Sequence, residues 1–262
     1  MNFITLVVQK SQIMSVNLCI DWGNTAVKAA IFQDKRLTYT DNFSDHDAVS
    51  RVSSIIDEHK PTKGILCSVV NDNSTAALEK LTSSKLKSFI KLDSNTYLPI
   101  MNAYTNPESL GADRLALAVG AWAVYPDMNT LVVNLGTCAT YNFTQKNKTF
   151  RGGAISPGLQ MRLRAMEEFT DKLPYVRLDG ELLLIGYDTA TCMRSGAVFG
   201  LAKEIDGMVQ EYGSQYPDFN AILTGGDAAF FAGKLKSKIF ADPELLFRGL
   251  NLILNYNVPI PA

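Results

Sequence analysis

The chain has 262 residues, of which 47% are hydrophobic and 19% charged, with a formal net charge of -1. This composition is typical of a soluble globular protein of one large or two ordinary domains. The near-neutral charge, without a basic stripe, argues against a nucleic-acid partner. The four separated cysteines lack zinc-site spacing and disulfide-domain density, so we expect reduced thiols and a cytoplasmic location.

Residues 1–15 come before the first convincing strand. Their apolar piece, residues 3–8, is too short for a secretory core and has no basic segment ahead of it. We therefore predict an N-terminal extension, and hypothesise that translation starts at Met14.

The longest apolar run, residues 115–125, is too short to cross a bilayer, so no membrane partner is expected.

Strands and helices alternate along the first half of the chain. Residues 16–21 and 26–33 flank a tight turn, which predicts a β-hairpin. Helical spacing of apolar residues predicts a helix over residues 44–59, and Ser74 is predicted to cap the next helix. The other predicted strands cover residues 36–40, 64–69 and 88–92.

The second half repeats this logic after an alanine-rich helix that runs through Trp122. A strand over residues 130–135 enters a glycine turn and returns as residues 139–143, as in the first hairpin. We therefore predict a duplicated α/β chain with domains 16–118 and 119–262. The remaining predictions are a glycine loop containing Gly152, Gly153 and Gly158, helices 159–169, 189–212, 228–235 and 243–254, and a strand 219–224.

The first hairpin turn has the residue types of a phosphate-binding site. Gly23, Asn24 and Thr25 offer backbone N–H groups and a hydroxyl at close range. Asp21 ends the buried strand, where its charge needs compensation by a metal, a cation or hydrogen bonds. A magnesium-bound nucleotide would supply this compensation; an ordinary hairpin with a surface aspartate is the alternative.

Two later glycine turns strengthen the nucleotide interpretation. Gly136 and Thr137 form the turn of the second hairpin, so the two turns could clamp a triphosphate from both sides of a cleft. Gly225 and Gly226 follow a predicted strand, where glycines let an adenosine approach the backbone. Each motif is weak alone, but the three together, in this order, are much more specific.

These motifs, with two further segments, resemble the type III pantothenate kinase family from residue 16 to the C-terminus. The resemblance implies two ribonuclease-H-like domains of the actin/hexokinase-like superfamily around a nucleotide cleft. It also implies a homodimer, and transfer of the ATP γ-phosphoryl group to pantothenate as the first step towards coenzyme A. The matching segments are residues 21–28, 111–114, 136–137, 152–158 and 224–226.

The resemblance assigns Asp113 as the acceptor of the substrate proton. A carboxylate near the hydroxyl can both position the nucleophile and receive its proton. The alternative is that Asp113 only caps a helix beginning near Arg114. Arg114 is expected to hold the substrate carboxylate, or else to face solvent.

The resemblance implies further contacts for both substrates. ATP with Mg²⁺ would bind the phosphate segment, with Asp21 the predicted magnesium ligand, directly or through water, and Lys28 part of the same segment. Gly111, Ala112 and Thr189 are expected to contact pantothenate. Tyr104 could line the same pocket or serve only in packing.

The chain departs from the family pattern at Asn134, where the family usually has an aspartate that binds K⁺ or NH₄⁺. An amide offers an oxygen without a charge, so weaker activation by these ions is expected.

Two alternative functions stay open. One is a kinase for a sugar or a short acid, or a phosphatase, of the same superfamily; the other is a nucleotide-binding regulatory protein that has lost turnover.

Overall fold

The computed structural model describes residues 15–69 and 73–258, and the predicted extension therefore lies outside the described residues except for Ser15. A first sheet is built from the first half of the chain, with the strand order β3-β2-β1-β4-β5. The β1 and β2 strands form the predicted hairpin, and β1 also pairs in parallel with β4. The strands are β1 (Val16–Trp22), β2 (Val27–Gln33), β3 (Arg36–Phe43), β4 (Lys63–Ser68) and β5 (Ser88–Lys91).

A second sheet has the order β11-β10-β7-β8-β9-β6. Read from its other edge, and without β6, this is the strand order of the first sheet. The predicted duplication of the hairpin therefore extends to the topology of five strands. The strands are β6 (Met101–Asn102), β7 (Asn129–Leu135), β8 (Cys138–Gln145), β9 (Thr149–Pro157), β10 (Phe219–Thr224) and β11 (Phe240–Ala241).

Helices cover both sheets and bury an apolar face against them. The described residues contain α1 (Ala48–His59), α2 (Asn73–Lys85), α3 (Ala112–Val124), α4 (Leu159–Glu168), α5 (Thr189–Gln215), α6 (Ala228–Ala232) and α7 (Leu245–Asn257). One core lies between the first sheet and α1 and α2, and another between the second sheet and α4 and α5. Within the described part, no helix has the length and apolar character that a membrane span needs.

The α3 and α7 helices join the two halves of the molecule. The α7 helix packs on β1 and β4 of the first sheet, whereas α3 packs on β7 and β8 of the second. Their backbones meet at Gly120 and Gly249: a side chain at Gly120 would overlap the carbonyl of Leu245, and one at Gly249 the carbonyl of Ala116. Glycine is required at this crossing because only a hydrogen on Cα fits between the helices.

The largest error in the sequence-based strand assignment is at residues 149–157. The predicted glycine loop is the strand β9, which pairs with β8 along its length with a register shift between Phe143 and Thr144. Gly152 and Gly153 adopt positive φ angles of 88° and 142°. Glycines of this kind mark an irregular strand as well as a loop, so their presence alone could not separate the two.

Several predicted element ends were also wrong. The α2 helix begins at Asn73, so Ser74 lies inside its first turn rather than capping it. The α6 helix ends at Ala232, ahead of Gly233, and α5 continues to Gln215. The α7 helix begins at Leu245 because Asp242 accepts a hydrogen bond from the Glu244 N–H at 2.9 Å, in a turn before the helix.

Candidate active site

Asp21 lies near the end of β1, between two strands that set the electrostatics of its carboxyl group. In the sheet it is paired with Lys28 of β2 and with Cys67 of β4. The pKa of Asp21 is raised to about 6, chiefly by burial and also by the nearby Asp113 charge, whereas Lys28 and a hydrogen bond with the Cys67 thiol act in the opposite direction. The predicted carboxylate is therefore in place and partly buried, and its negative charge is only partly compensated by these neighbours.

Asp113 lies in the first turn of α3, close enough to Asp21 for its charge to raise the pKa of Asp21. Burial is the largest cause of the raised pKa of Asp113, while backbone N–H groups and Arg114 lower it. The α3 helix begins at Ala112 with Gly111 as its N-cap residue, and Asp113 does not cap it. The capping alternative was therefore wrong.

Gly111 leaves the space that the Asp113 carboxylate occupies. A side chain at Gly111 would come within 2.6 Å of Asp113 Oδ1. Ala112, next in the chain, is buried against the core between α3 and α7. The segment 111–114 therefore holds a carboxylate at the start of a rigid, buried helix.

The two hairpin turns meet across the space between the sheets. The hydroxyl groups of Thr25 and Thr137 are 3.0 Å apart and form a hydrogen bond. The first turn is closed by a hydrogen bond from the Gly23 N–H to the Ala26 carbonyl at 3.1 Å, which leaves Asn24 exposed at its tip. The two turns are therefore in direct contact, and the clamping of a triphosphate between them stays a prediction.

The third glycine motif packs against the second turn. Gly225 has a φ of 96°, and a side chain there would lie 2.6 Å from Asn134 Oδ1. By contrast, no atom would come within 4 Å of a side chain at Gly226, and at Gly136 the nearest would be 4.0 Å away. These two glycines face open space, which fits the close approach of a ligand such as a nucleotide.

Arg114 is buried, with only 5% of its surface exposed, so the solvent-facing alternative was wrong. Its Nε donates a 2.6 Å hydrogen bond to the Asn142 side chain, and its Nη2 reaches the Tyr141 carbonyl at 3.4 Å. The guanidinium also lies 5.8 Å from the centre of the Tyr104 ring. Tyr104 and Arg114, both predicted to face the substrate, are therefore neighbours.

Thr189 is separate from this group. It is the first residue of α5 and is exposed, while Asp188 caps the helix through a 2.7 Å hydrogen bond from the Thr191 N–H. No hydrogen bond within residues 15–69 and 73–258 connects Thr189 to Asp113 or Arg114.

Sequence reasoning missed three groups that support the site. Cys67 touches Asp21, and Asn142 holds Arg114. The third is an ion pair between Arg162 and Glu204. The Glu204 carboxylate also accepts hydrogen bonds from the Tyr141 hydroxyl at 2.8 Å and from the Ser156 hydroxyl at 3.1 Å. The alternation of Thr140, Asn142 and Thr144 along β8 was the available signal, because polar residues on the buried face of a strand need partners.

The oxygen atoms around the two turns suit a hard cation such as Mg²⁺. Asp21 supplies a carboxylate, and the Thr25 and Thr137 hydroxyls are nearby. The described residues contain no group of three His, Cys, Asp or Glu side chains that could hold a metal by themselves. This donor set fits a magnesium ion that is bound together with phosphate oxygens.

Comparison with known proteins identifies the family of this chain. Residues 17–211 match the model of the type III pantothenate kinase family. Type III pantothenate kinases from Cytophaga hutchinsonii and from Bacteroides fragilis are each 40% identical over 244 residues. The alignments cover 93% and 92% of this chain and 100% and 98% of the relatives.

Solved structures share the fold at low sequence identity. A Campylobacter jejuni protein described as a Baf-family transcriptional activator has a TM-score of 0.58 at 20% identity, covering 92% of this chain and 98% of its own. A Listeria monocytogenes protein described as an N-acetylmannosamine kinase has a TM-score of 0.53 at 12% identity. The match covers 92% of this chain and 99% of that protein. The fold is that of the actin/hexokinase-like superfamily, and the family match over most of the chain shows that this protein belongs to the type III pantothenate kinase family.

Proposed function

We propose that this chain transfers the γ-phosphoryl group of ATP to pantothenate, giving 4′-phosphopantothenate in the first step of coenzyme A biosynthesis, with Asp113 as the proton acceptor. The observation that carries the proposal is the pair of coupled carboxylates, Asp21 and Asp113, beside two phosphate-type turns that touch through Thr25 and Thr137. The two carboxylates have different proposed roles: Asp21, near the end of β1, would bind Mg²⁺, and Asp113, at the start of α3, would accept the proton.

Asp113 is suited to the base role because burial raises its pKa towards the working range of a general base. In the proposed step, the Asp113 carboxylate accepts the proton of the pantothenate primary hydroxyl. The hydroxyl oxygen forms a bond with the γ-phosphorus, the bond between the γ-phosphorus and the bridging oxygen breaks, and ADP leaves.

The two turns would hold the phosphates of ATP between them. Thr25 and Thr137 would exchange their mutual hydrogen bond for bonds with phosphate oxygens, and Lys28 would add a positive charge on the same face. Asn24, Gly225 and Gly226 would bring backbone N–H groups near the nucleotide. The N–H groups of Gly23 and Gly136 close their own turns, so these two glycines would serve by letting the nucleotide approach the backbone closely. Asp21 would bind Mg²⁺ directly or through water, and the bound cation would neutralise charge on the transferred group.

Arg114 is the proposed partner of the pantothenate carboxylate. It is a buried cation, and among the described residues no carboxylate oxygen lies within 4.0 Å of its guanidinium. Buried charges need a partner, and arginine pairs with carboxylates through two parallel hydrogen bonds. Tyr104 would form one wall of this pocket, with Gly111, Ala112 and Thr189 as further proposed contacts.

A homodimer would explain an apolar surface before α5. Large hydrophobic side chains between residues 169 and 187 are exposed, including Leu184 at 74% and Ile185 at 84%. Several exposed large apolar side chains within one segment are a feature of protein interfaces. The cytoplasmic location stays a prediction, as does the division at residues 118 and 119, which falls inside α3.

The test is a coupled ADP-release assay with ATP and Mg²⁺, comparing pantothenate with a panel of sugars and short acids, with and without K⁺. We expect turnover that depends on pantothenate and product with the mass of 4′-phosphopantothenate. Turnover only with a sugar or short acid would assign another kinase activity. Nucleotide binding without turnover would favour the regulatory alternative, which the presence of both Asp21 and Asp113 disfavours.

A further inference from the structure

Arg114, the proposed partner of the pantothenate carboxylate, is held by the protein along one edge of its guanidinium. Nε donates a hydrogen bond to Asn142 Oδ1 at 2.6 Å, and Nη2 donates one to the Tyr141 carbonyl at 3.4 Å. These two nitrogens form one edge of the planar group, and Nη1 with the second N–H of Nη2 forms another. The protein therefore occupies one edge and leaves the other to pair with a carboxylate.

The free edge of the guanidinium is also accessible. Nη1 has no hydrogen-bond partner within residues 15–69 and 73–258, yet it is not among the side-chain nitrogens that are fully enclosed without a partner. Part of the 5% of the Arg114 surface that remains exposed therefore belongs to Nη1. A carboxylate can pair with this edge while the hydrogen bonds to Asn142 and Tyr141 stay intact.

The Asn142 side chain is itself held in a single orientation. It is completely buried in β8, and its Nδ2 donates hydrogen bonds to the Thr140 hydroxyl at 3.0 Å and to the Val132 carbonyl at 3.5 Å. A backbone carbonyl only accepts hydrogen bonds, so the amide nitrogen has to face Val132 and the amide oxygen has to face Arg114. The second sheet thus fixes the atom that orients the guanidinium.

The groups that hold this guanidinium carry no charge. Besides the Asn142 amide and a backbone carbonyl, the rings of Tyr104 and Phe150 have their centres 5.8 and 6.0 Å from Arg114 Cζ. Asp113, the preceding residue, senses the Arg114 charge, but no ion pair with Arg114 forms within the part of the chain that the structure describes. The positive charge is therefore retained for an incoming anion.

We propose that Asn142 is a positioning residue that makes the site selective for an acidic substrate over an uncharged analogue. Its amide orients Arg114 without neutralising it, whereas a carboxylate at this position would pair with Arg114 and exclude the substrate carboxylate. Asn142 acts only through Arg114 and touches neither substrate. The inference rests on the proposed function, because it takes pantothenate as the acidic substrate.

The test compares pantothenate with pantothenol, in which a hydroxymethyl group replaces the carboxylate and the hydroxyl that accepts phosphate is the same. We expect kcat/KM of the unaltered protein to favour pantothenate ~10–100-fold, the range for a hydrogen bond to a charged group. Asn142→Asp, which keeps the shape and adds a charge, should lower this preference about tenfold and leave the KM for ATP unchanged. The ratio is the readout because Arg114 also lowers the pKa of Asp113, an effect common to both substrates.

Arg114→Met tests whether Asn142 acts through Arg114. The change removes the charge from a side chain of similar reach, and should lower the preference for pantothenate as much as Asn142→Asp does. When Arg114 is already Met, adding Asn142→Asp should change the preference less than about twofold, because the two residues form one interacting pair. An equal loss of preference with and without Arg114 would overturn the positioning role.

Asn142→Ser provides a second variant that adds no charge to the core. The shorter side chain leaves Nε of Arg114 without its acceptor, so the KM for pantothenate should rise about fivefold while the KM for ATP stays unchanged. Asn129→Asp, the same change at a buried amide of β7, is the matched control. It should lower the melting temperature without changing the preference between the two substrates.

The outcomes separate this inference from the proposed function. Turnover of pantothenate by the unaltered protein, together with the same substrate preference in both Asn142 variants, would overturn the inference alone. A lack of pantothenate turnover by the unaltered protein would overturn the proposed function and this inference with it.

Discussion

The two hairpins of this protein have the same backbone design but differ in charge. Asp21 and Asn134 are each the sixth of seven residues in their strands, β1 and β7, and each strand pairs in parallel with its neighbour at that position. Thr25 and Thr137 follow at the turns and touch. The strand before the first turn has a partly buried carboxylate with a pKa raised to about 6, whereas the strand before the second has a neutral amide.

The two halves share the backbone of the hairpin, whereas they differ in charge. The backbone of both turns can approach phosphates, so phosphate binding is shared between the halves. The charge is concentrated in one half, where Asp113 of α3 adds a second carboxylate near Asp21. Because the charge is asymmetric, one side of the site is suited to binding a cation and accepting a proton, and the other side to uncharged hydrogen bonds.

Asp113→Asn should have the largest effect on this asymmetry, because it removes the proposed base and leaves the fold intact. We expect kcat to fall by ~10²–10⁴-fold while ATP binding and the melting temperature stay close to those of the unaltered protein. Steady-state kinetics with pantothenate and a nucleotide-binding titration measure both. Asp57→Asn, at an exposed ion pair with Lys85, is the matched control. Turnover near that of the control would exclude Asp113 as the base.

Asp21→Asn should change how stability depends on pH. A carboxyl group with a folded-state pKa of about 6, above its ordinary value of 3.8, binds protons more strongly in the folded state. It therefore contributes stability at low pH that is lost as pH rises from ~4 to ~6, by up to ~3 kcal/mol. The variant should lose this part of the dependence and catalyse poorly, because Mg²⁺ loses a ligand.

Urea unfolding of the protein without nucleotide, at pH 4, 5, 6 and 7, measures this change. The Asp113 carboxyl group, also with a raised pKa, should leave a smaller slope of the same sign in Asp21→Asn. Identical pH profiles for the variant and the unaltered protein would contradict the buried-charge interpretation.

Asn134→Asp would make the second turn resemble the first. The new carboxylate would attract a monovalent cation, and we expect K⁺ to raise turnover about fivefold, equivalent to ~1 kcal/mol of favourable ion binding. The unaltered protein should respond less. Assays in K⁺, NH₄⁺ and Na⁺ at constant ionic strength measure the difference. A strong, saturable K⁺ requirement in the unaltered protein would refute the prediction that Asn134 weakens cation binding.

Thr137→Val should have the smallest effect, because it removes one hydroxyl group from the neutral turn. The loss of one hydrogen bond to phosphate, worth ~0.5–1.5 kcal/mol, should raise the KM for ATP ~3–10-fold with little change in the KM for pantothenate. Thr137→Ser, which keeps the hydroxyl, is the control. If both variants behave alike, the hydroxyl is not a nucleotide contact.

The α/β class and the two hairpins could be predicted from the sequence because turn residues and apolar periodicity act over a few neighbours, and the order of the motifs carried the resemblance to the family. Only the tertiary structure decided which motif residues meet. The Thr25–Thr137 contact spans 112 positions, Arg114 is buried by Asn142 rather than exposed, and β9 is a strand despite its glycines. The raised pKa of Asp21 likewise depends on burial and on Asp113, two features that arise only when distant segments pack together.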